Sequence, residues 1–290
     1  MSTTGTGTAQ DPFIVDTWAD FVTAVGTADA YVRVDTSSIT SWNFPREVAS
    51  GLSSSVTWDA TDVDGNGLTI KGLFGSATNW FVGTGAGAKV IRNLNFLDMA
   101  KTSATTGVFH GRAFEWQNCN FSGLIEDNQL ISVYSGGTNT FTTGVLGQND
   151  PKGCSFSLKF SGAGRLSNSA VTAYHAVFNF DGVSTYSSAQ IIKANDCKFI
   201  GGMPWTKLTL NGGGQNVIDA DIDTITTYTN SSGTICLMNT DKLASGLSVP
   251  SGFTGVTSAQ MLDAAYLEGI GFHVEVEEEP EEEEEQQDGE

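Results

Sequence analysis

Three aspartates stand two residues apart at Asp219, Asp221 and Asp223, alternating with Ile218, Ala220 and Ile222. On a β-strand that alternation sends all three carboxylates to one face, successive ones about 6.5–7 Å apart. The spacing overlaps the roughly 6.5–9.5 Å between the two carboxylates of inverting glycoside hydrolysis. The same row can hold a cation, or can serve as the solvated face of an exposed strand, which is the simpler reading. If the chain cuts sugar, these three residues are the catalytic candidates; Asp181, Asp196, Glu126 and Asp127 are weaker companions.

A second group, Asp62-Val-Asp-Gly-Asn-Gly67, reads like the first half of a calcium loop with Asp62, Asp64 and Asn66 as ligands. Its twelfth position is Leu73, where an EF-hand needs a bidentate glutamate. Asp-Gly-Asn-Gly ahead of Leu-Thr-Ile also works as a plain turn into a strand, and that reading is preferred. No metal or other cofactor is expected. His110, His175 and His273 have no metal-ligand spacing, and His175, in Tyr-His-Ala-Val-Phe, reads as strand surface. Arg92, Lys101, Arg112, Lys159, Arg165, Lys193 and Lys198 are scattered, without the base cluster a calcium-dependent lyase sets beside its acidic ligands. Trp80, Trp116, Tyr134 and Trp205, with Tyr174 and Tyr186, can stack on sugar rings where exposed; core packing is the more economical use of most of them. The expectation is a protein that is not an enzyme.

Charge and composition bound what can carry these residues. The chain has 33 Asp+Glu against 14 Lys+Arg, a net −19, and eleven of the carboxylates follow residue 274. Residues 1–274 therefore carry only −8. Without clustered Lys and Arg to displace counterions, nucleic-acid binding is excluded. No apolar run approaches the ~18–20 residues of a membrane span. Met1-Ser-Thr-Thr-Gly has neither a basic region nor a hydrophobic stretch, so no secretory signal is expected. Cys119, Cys154, Cys197 and Cys236 are then expected as reduced thiols. Low charge, 34 Gly and 17 Phe suit short strands punctuated by turns.

A repeat search supports this. A four-residue unit ending in Phe recurs as Asn93-Leu-Asn-Phe96, Asn118-Cys-Asn-Phe121, Gly153-Cys-Ser-Phe156, Val177-Phe-Asn-Phe180 and Asp196-Cys-Lys-Phe199, with Ile218 in the Phe place one repeat later. Its second and fourth residues point inward and its third outward. Gly123, Gly182 and Gly201 follow at once, where a turn would fall. Short strands repeating every ~20–25 residues require stacking on neighbours, as in a parallel β-helix, and stacked inward cysteines then act as small core residues. The fold expected is an all-β right-handed parallel β-helix, a solenoid of nine or ten coils with short capping helices at each end. Residues 1–10 form a flexible N-terminus, 11–29 an N-terminal helical cap with Trp18, Phe21, Val22 and Val25 on one face, and 30–250 the β-helix. Residues 251–274 form a C-terminal cap with one helix over 257–268, and 275–290 a disordered acidic tail.

Two segments, Asp62-Val-Asp-Gly-Asn-Gly-Leu-Thr-Ile70 through Val90-Ile-Arg-Asn-Leu-Asn-Phe96 and Thr257–Phe272, resemble the opening coils and closing element of right-handed β-helix surface proteins of gut bacteria and their bacteriophages. Gly5-Thr-Gly-Thr with Asp11-Pro-Phe-Ile-Val15 fits the same group, so the resemblance spans about residues 5–274. It implies a non-enzymatic virion protein: a capsid decoration, head fibre or short tail-fibre module, contacting other virion proteins and host-surface polysaccharide, as a homotrimer. The alternatives are a tailspike polysaccharide depolymerase and an adhesin of the bacterial cell surface.

Overall fold

The structure, a computed structural model, describes residues 3–44, 54–74, 79–83, 89–101, 107–111, 114–127, 129–133, 139–142, 153–167, 170–231 and 233–273, with backbone alone at 111, 131–133 and 139–142. Strands hold 47% of the chain and helices 10%, which makes it all-β as its composition requires. Among the described residues two sheets have ten strands and a third has five. The first runs from Phe13–Val15 to Thr227–Asn230, the second from Ser41–Asn43 to Thr254–Val256, the third from Val56–Trp58 to Arg165–Ser167. Neighbouring strands pair in parallel, so the molecule is a parallel solenoid.

From Tyr31 to Ser167 the chain visits the first, second and third sheets in turn. From Val171 onward, among the described residues, it visits only the first and second. The edge left at Arg165–Ser167 is sealed by side chains. The buried Gln190 amide oxygen accepts the Leu166 and Ser167 N–H groups at 3.0 and 3.5 Å. Ser184 Oγ and Trp205 Nε1 both donate to the Gly164 carbonyl, at 2.6 and 3.2 Å. An unpaired buried backbone group costs about 1–3 kcal/mol, so these side chains do the work of a further strand.

Phe96, Phe121, Phe156, Phe178 and Phe199 stand in register on successive strands of the second sheet, followed by Ile218 and Met238. Neighbouring rings are 4.7–5.8 Å apart and within 4–13° of parallel. This ladder is the spine of the core. One unit is displaced from expectation: Phe178, not Phe180, faces Phe156. The repeat there is His175-Ala-Val-Phe178, with Ala176 buried where other coils place Cys119, Cys154 and Cys197. A two-residue slip keeps each side chain on its face, so alternation alone cannot detect it. All four cysteines are buried and unbridged, and burial pushes the Cys197 and Cys236 thiols up to about 12.

The corner between first and second sheets holds left-handed residues in several coils, among them Asn66, Asn93, Asn118, His175 and Asp196. His175 is therefore a corner residue and not strand surface. Asn, Asp and His tolerate this backbone better than branched residues do. The asparagines also link coils, Asn118 donating to Asn93 and Asn93 to Asp64, at 2.9 and 3.1 Å.

Helix α1 (Trp18–Val25) covers the N-terminal end, its start fixed by Thr17 Oγ1 accepting the Asp20 N–H. It buries Phe21, Ala24 and Val25, with Phe21 against Trp42 and Trp58. Within residues 3–10, Thr4 bridges Ile14 and the Gly7 carbonyl accepts the Tyr31 N–H. The C-terminal end departs from expectation. The single helix expected over 257–268 is two, α2 (Ser258–Met261) and α3 (Ala264–Gly269), because Asp263 takes extended backbone and caps α3. Neither closes the last coil. Leu267 packs with Leu237 and Val256 in a cluster of its own on the outer face of the second sheet, while Leu243, Leu247, Val249 and Phe253 close the main core. The acidic tail, 275–290, lies outside the described residues.

Candidate functional site

The outer face of the second sheet carries the polar groups that alternate with the core ladder. Ser157, Asn179, Ile200 and Asp219 form one outward rank, and Lys159, Asp181, Gly202 and Asp221 the next. Gly182 and Gly201, both left-handed, lie where two of these strands end; a Cβ there would meet the Phe160 or Phe180 carbonyl at 2.1 or 2.3 Å. Only glycine allows that approach. Gly123 is different: it lies within the strand Asn120–Glu126, beside a register shift against the strand Asn95–Lys101, and marks a bulge and not a turn.

The strands and the connections beyond them enclose two hollows of about 730 and 810 Å³ that share Asn179, Phe180 and Asp181, so they form one groove across successive coils. Asp98, Ser122, Ser157 and Lys159 line one end; Thr206, Asp221, Asp223 and Asp241 line the other. Lys159 reaches Asp181 at 3.3 Å and Lys71 reaches Asp98 at 3.5 Å. The Gly182 N–H, and then Lys159, hold the Asp181 carboxyl below the usual carboxylate value.

The acidic row points outward as its alternation requires, with Ile218, Ala220 and Ile222 buried behind it. Its members are not equivalent. Partial burial pushes the Asp219 carboxyl up, but Asn239 Nδ2 at 2.7 Å and Lys242 Nζ at 3.0 Å outweigh it and hold it below the usual value. Asp221 and Asp223 are exposed and line the groove. A carboxylate held ionised accepts hydrogen bonds and is a poor proton donor.

The other candidate residues fare differently. Trp80 and Trp116 are 0% exposed and Trp205 is 1%, so none presents a ring to a sugar; their rings are core. The Trp205 ring fills the seam between Phe160 and Phe180, 4.9 and 5.0 Å away, and the apolar gain of burial decides its place. Tyr134 lies outside the described residues. Tyr174 is the exposed aromatic among those named, and Tyr186 is half-buried beneath Arg165. At the calcium-like loop, Arg92 supplies the positive charge, reaching Asp62 at 2.9 Å and Asp64 at 3.3 Å. Asp64 also accepts the Asn66 N–H, and the Asn66 side chain is spent on Val34 and Thr36. Asp62, Asp64 and Asn66 thus form a braced turn, and among the described residues no group of three His, Cys, Asp or Glu side chains is placed to hold a metal.

Two features escaped the sequence reading. Lys101, read as a scattered base, is fully buried, its ammonium 5.4 Å from the Trp80 ring centre, and burial pulls its pKa down to about 8. The signal was present, since Lys101 shares the inward parity of Met99. The groove was invisible because its walls come from separate coils. Comparison with protein-family models, with curated proteins and with solved structures finds no match for this chain.

Proposed function

We propose that the three sheets wind as a right-handed parallel β-helix and that the protein is a non-enzymatic structural and adhesive component of a phage virion, holding host-surface glycan along the groove of the second sheet. The observation that carries this reading is the groove itself, a row of hydroxyl, amide and carboxylate groups fixed on a stacked and rigid face. Sugar hydroxyls are matched by such groups, and the ionised Asp181, which lines both hollows, suits acceptance of hydrogen bonds. The virion assignment rests on the sequence resemblance, and the adhesin of a cell surface is its rival. A depolymerase using Asp219, Asp221 or Asp223 is the enzymatic rival.

Titrating the chain with purified surface polysaccharide of the source host tests the reading. Saturable binding that is lost in Asp181→Ala and Asp221→Ala is expected, with no new reducing ends. Release of reducing ends that disappears in Asp221→Asn would replace this proposal with the depolymerase. Mass spectrometry of purified phage particles tests the location, and absence of the chain there would sink it. Light scattering at micromolar concentration tests the homotrimer, which the mass of a single chain would overturn.

A further inference from the structure

The charge along the groove bears on the class of glycan it can take, an inference that rests on the groove being the binding site. Among the described residues five carboxylates line it, Asp98, Asp181, Asp221, Asp223 and Asp241, against two ammoniums, Lys159 and Lys242. The two ends are balanced differently. At one end Lys71 answers Asp98 at 3.5 Å and Lys159 answers Asp181 at 3.3 Å. At the other, Lys242 is spent on Asp219, reaching its carboxylate at 3.0 Å and donating to its carbonyl at 2.8 Å. Asp241 accepts the Ser258 N–H but meets no cation. Asp221 and Asp223 are likewise exposed and in no ion pair among the described residues.

We propose that the groove takes an uncharged glycan strand and rejects polyanionic ones, and that Asp221 and Asp223 make the selection. These carboxylates do not gather around one point: among the described residues no three such side chains are placed to hold a metal. Spread along the wall they act singly, and an ionised carboxylate offers acceptors only. The same hollow has an apolar side, where Val183, 68% exposed, stands with Met203 and Leu243. Acceptors beside an apolar surface fit a sugar ring, which carries hydroxyl donors at its edge and C–H groups on its face. A uronate, sialate or phosphate-bearing strand brings further acceptor-only anions against carboxylates that no base neutralises. Like charges set together in this way exclude a wrong partner more effectively than they strengthen a right one.

Surface polysaccharide of the source host, split by anion exchange into uncharged and acidic fractions, tests the proposal on the full chain. Saturable binding is expected from the uncharged fraction. Oxidising the primary alcohols of that fraction to carboxylates changes its charge while keeping its backbone. That change is expected to weaken binding by roughly tenfold at low salt. The loss should shrink at high salt, and also in the Asp221→Asn/Asp223→Asn variant, where the repelling charges are gone. Preferential binding of the acidic fraction overturns the inference, and Asp181→Ala then decides whether the groove reading survives. Binding of neither fraction overturns the groove reading and the inference together. An equal loss on oxidation in the native chain and the double variant would overturn the role given to the two aspartates.

Discussion

Between Tyr31 and Ser167 each circuit of the chain carries three strands; between Val171 and Asn239 it carries two. The cores differ accordingly. The wide half is filled by aromatic rings, with Trp58, Phe81, Phe109, Phe114 and Trp116 meeting at 4.6–6.5 Å. Beside the ladder and the larger Phe180, Trp205 and Tyr228, the narrow half is filled by Ala173, Ala194, Leu208, Leu210, Ile218 and Ala220. A smaller cross-section needs smaller side chains at the same packing density. The Phe ladder passes through both halves, so what distinguishes them is the seam where the third sheet stops. There Trp205 and Gln190 replace strands by side chains, and the 810 Å³ hollow of the groove lies on the narrow side.

The seam is the place to break this contrast. Trp205→Ala removes the plug that touches Phe160 and Phe180, and a loss of about 3–5 kcal/mol is expected in denaturant unfolding. Hydrogen exchange should quicken more over 207–230 than over 109–126; equal quickening would mean that the two halves unfold as one. Gln190→Ala leaves the Leu166 and Ser167 N–H groups without their acceptor, at a cost of about 1–3 kcal/mol, and exchange of those two amides reads it directly. Gly182→Ala forces a Cβ to within 2.1 Å of the Phe160 carbonyl in a left-handed backbone, and about 1–3 kcal/mol should be lost, with groove binding reduced alongside stability.

The smallest effect concerns pH. The Asp219 carboxyl is held below its ordinary value in the folded chain, so its contribution is complete above the unfolded pKa and fades as pH falls through the folded one. Because Asp219 and Lys242 are both partly solvated, the contribution is about 1 kcal/mol or less. Stability curves of the native chain and Asp219→Asn should converge below the folded pKa and separate above about pH 4. Curves that stay parallel throughout would show that the Lys242 pair adds nothing.

The residues made the ladder legible because a period of two survives in every coil, and the thiols followed from sharing its inward parity. The third sheet was not legible: Val56–Trp58, Phe81–Gly83 and Phe109–Gly111 are three residues long, too short for alternation to register. The place of the C-terminal helices had a signal in the apolar residues at outward positions, Val217 and Leu237, on adjacent coils. Two such residues side by side mark a face that something covers. The acidic row was legible as a row, but the partners that divide Asp219 from Asp221 and Asp223 come from the next coil. The Arg92 brace on Asp62 and Asp64 is likewise a contact between coils, 30 residues apart in the chain for Asp62.

The buried thiols have one more consequence. Cys119, Cys154, Cys197 and Cys236 lie at separate heights along the stack, sealed from water, with two of them pushed far above any working pH. Thiolate, not thiol, reacts with alkylating reagents, so each cysteine stays silent until its own coil opens. The molecule thus carries its own set of clocks: the order in which the four take up label under mild denaturant is the order in which the stack comes apart.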